Sequence, residues 1–149
     1  DNPGQTALWL ADRKSRAFHS DEIGKHDIII TADTVVALNN SIIGKPGDHS
    51  EAYRMLQMLS GKMHDVYTGV CIRSLEKSVL FSDLTNVWFR ELRQEEIMYY
   101  LDLCHPYDKA GSYGIQEWIG YACVEKIKGS YFNVMGLPTH RIYEELLRF

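Results

Sequence analysis

Apolar residues between Thr6 and Phe18 recur at helical spacing, with Ala7, Leu8, Leu10, Ala11 and Ala17 separated by Arg13, Lys14 and Arg16. The spacing predicts a helix with one basic side. The next segment, "DIIITADTVVAL", is too densely β-branched and aliphatic for an amphipathic helix; with Asn39-Asn40 ahead of "SIIG" it predicts a strand and a tight hairpin. "GDHSEAYRMLQMLSG" returns to helical period, with Ala52, Met55, Leu56 and Leu59 on one face. Asp48 three residues before Glu51 marks its start as a capping box, and Gly61 marks its end. "HDVYTGVCIRS" and "SVLFSDLTNVWFREL" alternate as strands around a turn at Leu75 to Lys77, and "RQEEIMYYLDL" is helical. "YACVEKI" and "SYFNVMG" read as strands and the Pro138-initiated "PTHRIYEELLRF" as a closing helix. Interleaved strands and helices with several hairpins predict an α/β domain whose sheet is mixed rather than purely parallel.

Composition narrows this reading. A chain of 149 residues with 45% apolar content suffices for one core, and no repeat or linker divides it. No apolar run approaches the ~20 residues of a membrane helix, and "DNPGQTALW" lacks the basic and apolar regions of a signal peptide. Three cysteines, Cys71, Cys104 and Cys123, without a C-x-x-C pair suggest neither a disulfide framework nor a zinc ribbon, so a reducing cytoplasm is expected. A net charge of -4 argues against coating nucleic acid through a broad basic face.

The candidate chemistry is concentrated in a few places. Asp33 follows three isoleucines, and a carboxylate at the end of a buried strand must be paired, hydrated or bound to a cation. A loop cap or an acceptor of backbone N–H groups stands beside a metal ligand or general base as its role. Lys45, between Gly44 and Pro46, is either aimed inward by restricted backbone or an ordinary surface lysine. "YDKAGSYGIQEW" has too few apolar positions for a core element. Asp108 and Lys109 supply paired charge there, Gly111 and Gly114 let backbone approach a ligand, and Gln116 offers both donor and acceptor; a solvated turn is the competing reading. Neither G-x-x-x-x-G-K-[ST] nor G-x-G-x-x-G is present. The histidines show no metal spacing, and His64 beside Asp65 reads as structural.

Taken in order, "ADTVV", "GKPGD", "EAYRMLQMLSGKMHDVYTGV", "EEIMYYLDL", "YDKAGSYGIQ" and "GSYFNVMGLP" resemble the Maf family, also called septum-formation-inhibitor-like proteins, from about Ala7 to the C-terminus. The resemblance implies a nucleoside triphosphate pyrophosphatase that cleaves between the α- and β-phosphates with a divalent cation, Mg²⁺ or Mn²⁺. It also implies an elongated mixed sheet with helices around a central cleft, similar to the inosine triphosphate pyrophosphatases, and a homodimer. Asp33 stands where the family has its catalytic acid, which also serves as metal ligand, with Thr34 beside it. Lys14 and Lys45 match lysines directed at the phosphates, and Lys109 and Gln116 match cleft residues. "ADT" with "DKAGSYGIQ" resembles the branch acting on dTTP, UTP and modified pyrimidine triphosphates. Family members also open with a strand and a loop of the form S-x-S-x-R-R, which this sequence does not contain. A single domain over residues 1–149, shortened at its N-terminus, is therefore expected, and a non-catalytic nucleotide-binding or interaction domain stands as the alternative.

Overall fold

In the computed structural model, which describes residues 2–149, helix α1 (Pro3–Arg16) leads into strand β1 (Ile29–Leu38). The Asn2 side chain accepts from the backbone of Gly4 and Gln5, which starts the helix three residues before the apolar spacing does. Asn39 and Asn40, at φ of 51° and 63°, reverse the chain into β2 (Ser41–Ile43). Asparagine tolerates the left-handed backbone that this tight turn demands. Helix α2 (His49–Leu59) follows, its first turn capped by Asp48, which accepts from Glu51 N at 2.8 Å. The expected reciprocal bond is displaced by one residue, because the Glu51 carboxylate accepts from Gly47 N at 2.7 Å. Strands β3 (Met63–Arg73) and β4 (Ser78–Phe89) form a long hairpin, followed by α3 (Gln94–Cys104), α4 (Trp118–Cys123), β5 (Val124–Lys128), α5 (Tyr131–Val134) and α6 (Thr139–Arg148).

The five strands are ordered β2-β1-β3-β4-β5, with helices packed on both sides. Mixed strand directions were expected; every pairing among the described residues is antiparallel. The register explains this. Ala37, near the end of β1, faces Asp65, near the start of β3, so α2 delivers the chain beside the point it left and β3 runs back along β1. "SYFNVMG" is the other departure, a four-residue helix in place of a strand. Ser130 caps it by accepting from Asn133 N at 3.2 Å, and the Asn133 amide donates to Val66 O and to Thr85 Oγ1. These tertiary bonds outweigh the alternation of its apolar residues. In "YACVEKI", likewise, Tyr121 to Cys123 end a helix and only the remainder is strand.

One side of the sheet carries α1. The helix lies so close that a Cβ on Gly69 of β3 would sit 2.2 Å from the Ala7 carbonyl oxygen. The other side holds the main core, where Val36, Val66, Val87 and Phe89 meet Leu56 and Leu59 of α2 and Ile97, Tyr100 and Leu101 of α3. Val70, Ile72 and Phe81 form a smaller cluster with Ile142 of α6. Among the described residues no helix is long and apolar enough to cross a membrane. Cys71, Cys104 and Cys123 are free thiols.

Candidate functional site

β2 covers only the end of β1, pairing with Val36 to Leu38, so among the described residues Ile29 to Val35 pair on the β3 side alone. A cleft of about 280 Å³ opens along that uncovered edge. Lys14, Asp33, Thr34, Lys45, Lys109 and Gln116, the six residues singled out in the sequence, all line it. They come from α1, β1, the segment after β2 and the segment between α3 and α4.

Asp33 and Thr34 are neighbours on β1 and project from opposite sides of the strand. Asp33 reaches the α1 side, where its Oδ2 pairs with Lys14 Nζ, and the same ammonium donates to Ala32 O at 3.1 Å. The buried-strand carboxylate is thus half-buried and charge-paired, as its position requires. Thr34 turns to the other side, with its Oγ1 2.8 Å from Thr68 Oγ1. Thr68 donates its own proton to Asn133 O at 3.0 Å, so Thr34 is the donor between the two hydroxyls. Its proton is engaged within the protein, and what Thr34 presents to the cleft is acceptor capacity.

Lys45 follows directly from the end of β2. It is exposed, and the backbone on either side is held where Gly111 N donates to Gly44 O at 3.0 Å and where Pro46 is buried. The same bond anchors the segment of "YDKAGSYGIQEW". Gly111 at φ 67° and Ser112 at φ 64° turn this chain tightly, and a Cβ on Gly111 would lie 3.0 Å from Val36 Cγ1. The two residues fold Lys109 back toward Glu117.

Lys109 Nζ lies 3.1 Å from Asp108 Oδ1 and 3.2 Å from Glu117 Oε1. Burial opposes its charge, but the bonds and charges of the two carboxylates outweigh that effect and hold its pKa above the ordinary lysine value. The Lys109 ammonium in turn lowers the pKa of Asp108. Gln116 is exposed on the rim, and its amide makes no hydrogen bond to the described residues, which leaves donors and acceptor for a ligand.

Glu117, Tyr113 and Met135, at or beside the cleft, are among the residues not assigned to the site from sequence. Glu117 pairs with Lys109 across a turn, and no periodicity relates the two. Tyr113 lines the cleft, buried, with its hydroxyl 2.7 Å from His64 Nε2. Met135, which ends α5 where a strand was expected, also lines the cleft. His64 is structural as read: it packs edge-on against Phe89 and Tyr113, and burial lowers its pKa to about 4.

No group of three or more His, Cys, Asp or Glu side chains is arranged to hold a metal ion among the described residues. Asp33 supplies one carboxylate at the cleft, which suits an ion that takes most of its ligands from phosphate and water. Three lysines line the cleft with two acids, Asp33 paired with Lys14 and Asp108 paired with Lys109. The lysines suit an extended polyanion, along whose path Asp33 supplies an acidic centre.

The Maf-like protein family model matches residues 1–149. A Porphyromonas gingivalis (strain ATCC 33277) protein named dTTP/UTP pyrophosphatase is 50% identical over 149 residues, covering 99% of this chain and 75% of the relative. A Parabacteroides distasonis protein of the same name is 50% identical over 142 residues, covering 95% and 73%. One from Flavobacterium psychrophilum is 48% identical over 139 residues, covering 93% and 71%. With a family match across its whole length and identity at this level, the chain belongs to the Maf family.

Proposed function

We propose that this chain hydrolyses nucleoside triphosphates, with dTTP and UTP as substrates, to the monophosphate and pyrophosphate. The observation that carries the reading is the convergence of Lys14, Lys45 and Lys109 with Asp33 on one cleft. The relatives' shared name, dTTP/UTP pyrophosphatase, supports the substrate class. Lys45 and Lys109 neutralise the phosphate chain, and Lys14 moves between Asp33 and a phosphate oxygen as charge builds. Asp33 orients the attacking water and takes its proton. Gln116 reads the base or a water at the site through its free amide. When a divalent ion, Mg²⁺ or Mn²⁺, is bound, Asp33 and the triphosphate hold it, and it supplies charge stabilisation at the reacting phosphate. A homodimer in the cytoplasm belongs to the same proposal, and light scattering of the purified protein checks its assembly.

The deciding experiment incubates the protein with a panel of nucleoside triphosphates and separates pyrophosphate from orthophosphate among the products. Pyrophosphate formed in equal amount to monophosphate, fastest with dTTP and UTP, is expected. Orthophosphate would make the protein a phosphatase, and nucleotide binding without turnover would make it a non-catalytic binding domain.

A further inference from the structure

We infer that Glu117, backed by Tyr100, is the positioning residue that fixes the Lys109 ammonium in the cleft. The inference rests on the reading of that cleft as a triphosphate site. The two carboxylates on Lys109 differ in kind. The Asp108 side chain is 77% exposed, so its attraction is screened and its geometry loose, whereas that of Glu117 is 20% exposed. Both Glu117 oxygens are engaged: Oε1 pairs with Lys109, and Oε2 accepts from the Tyr100 hydroxyl at 2.9 Å. Tyr100 is fully buried on α3, and its oxygen also accepts from Gly114 N at 3.1 Å. A core side chain thereby holds the carboxylate and the backbone between it and Lys109. Gly114 is what admits the pair, since a Cβ there would lie 2.7 Å from Glu117 Oε1 and 3.0 Å from Lys109 Cε.

A carboxylate beside a polyanion site lowers the local positive charge, so any benefit from Glu117 must come through order rather than attraction. A lysine side chain carries about 2 kcal/mol of rotamer entropy. Holding it before the ligand arrives removes part of that cost from binding. An ammonium has three N–H groups; with two directed at Asp108 and Glu117, the third is available to a phosphate oxygen.

The test compares the parent with Lys109→Ala, Glu117→Gln, Tyr100→Phe and the double variant Lys109→Ala/Glu117→Gln. dTTP hydrolysis is measured with Mg²⁺, and acylation of Lys109 by an amine-directed reagent is measured without nucleotide at one pH. Glu117→Gln is expected to raise KM about tenfold with a smaller change in kcat, and to speed Lys109 acylation several-fold. Tyr100→Phe, which keeps the ring and deletes the donor, shifts both in the same direction by less. The double variant is no worse than Lys109→Ala alone, because a positioning residue has nothing left to position. Additive losses in the double variant, or unchanged KM and acylation in Glu117→Gln, overturn the inference. A parent that does not hydrolyse dTTP refutes the proposed function instead, and the acylation rates then decide the role of Glu117 on their own.

Discussion

Lys14 of α1 and Asp33 of β1 form an ion pair at the mouth of the cleft, and the same ammonium also bonds the Ala32 carbonyl. Nineteen positions apart in sequence, the two meet because α1 lies against the sheet closely enough to require Gly69 beneath it. The proposed function uses Lys14 as a cation that changes partners and Asp33 as the base that activates water, and substitution of Asp33 tests it. In Asp33→Asn, the amide neither accepts a proton nor neutralises a cation as a carboxylate does. We expect the fold to persist and kcat to fall by about 10²-fold or more. A folded variant that turns over dTTP at near the parent rate removes Asp33 from the mechanism.

Lys45 makes no ion pair among the described residues, so its charge is available to a ligand without breaking a bond. Lys45→Ala is expected to raise KM for dTTP about tenfold, the cost of one charge-assisted hydrogen bond, with thermal stability unchanged. The loss should shrink as salt is added, since screening weakens the same interaction in the parent. KM values that match the parent at low and high salt would reduce Lys45 to surface charge.

For Gln116, substitution by Leu keeps approximate size and deletes donor and acceptor together. The exposed amide bonds no described residue, so the melting temperature should not move, while turnover or base discrimination falls by about 1 to 3 kcal/mol equivalent. A variant that loses stability yet keeps the parent's substrate preference would make the segment from Tyr107 to Trp118 a structural turn.

His64 supplies a pH test independent of catalysis. Its pKa falls from an ordinary 6.5 to about 4 because burial disfavours the imidazolium, so the unfolded chain binds the proton more readily than the folded one. Its stabilising contribution is full above pH 6.5 and is lost as pH falls toward 4, by about 3 kcal/mol in all. Urea unfolding of the parent and of His64→Gln across this range should give a steeper pH dependence for the parent. Parallel curves would show that the ring is not held neutral.

Gly69→Ala probes the packing that brings Lys14 over Asp33. The added methyl would meet Ala7 backbone at 2.2 Å, which no side-chain rotation relieves. A loss of at least about 2 kcal/mol is expected, together with a fall in activity as α1 is pushed from the sheet. Unchanged melting temperature and KM would show that α1 shifts without consequence for the site.

Local physics made much of this protein legible in its sequence. The face formed by Ala52, Met55, Leu56 and Leu59, the Asn39-Asn40 turn and the alternation along β3 and β4 each encode an element within a few residues. Asp33, Thr34, Lys45, Lys109 and Gln116 were legible because they stand in short blocks that match a family pattern, and Lys14 because it lies on the basic side of a helix that precedes them. Tertiary structure decided the rest. The antiparallel course of β3 depends on where α2 releases the chain, and the helix at Tyr131–Val134 depends on bonds from Asn133 to strands more than forty residues away. The commitment of the Thr34 proton follows from the place of Thr68 on the neighbouring strand. Periodicity records which side of an element is apolar; it carries no information on which polar atoms from separate elements arrive within 3 Å of one another. The link from buried Tyr100 through Glu117 to Lys109 is of that second kind, and only the folded chain brings it together.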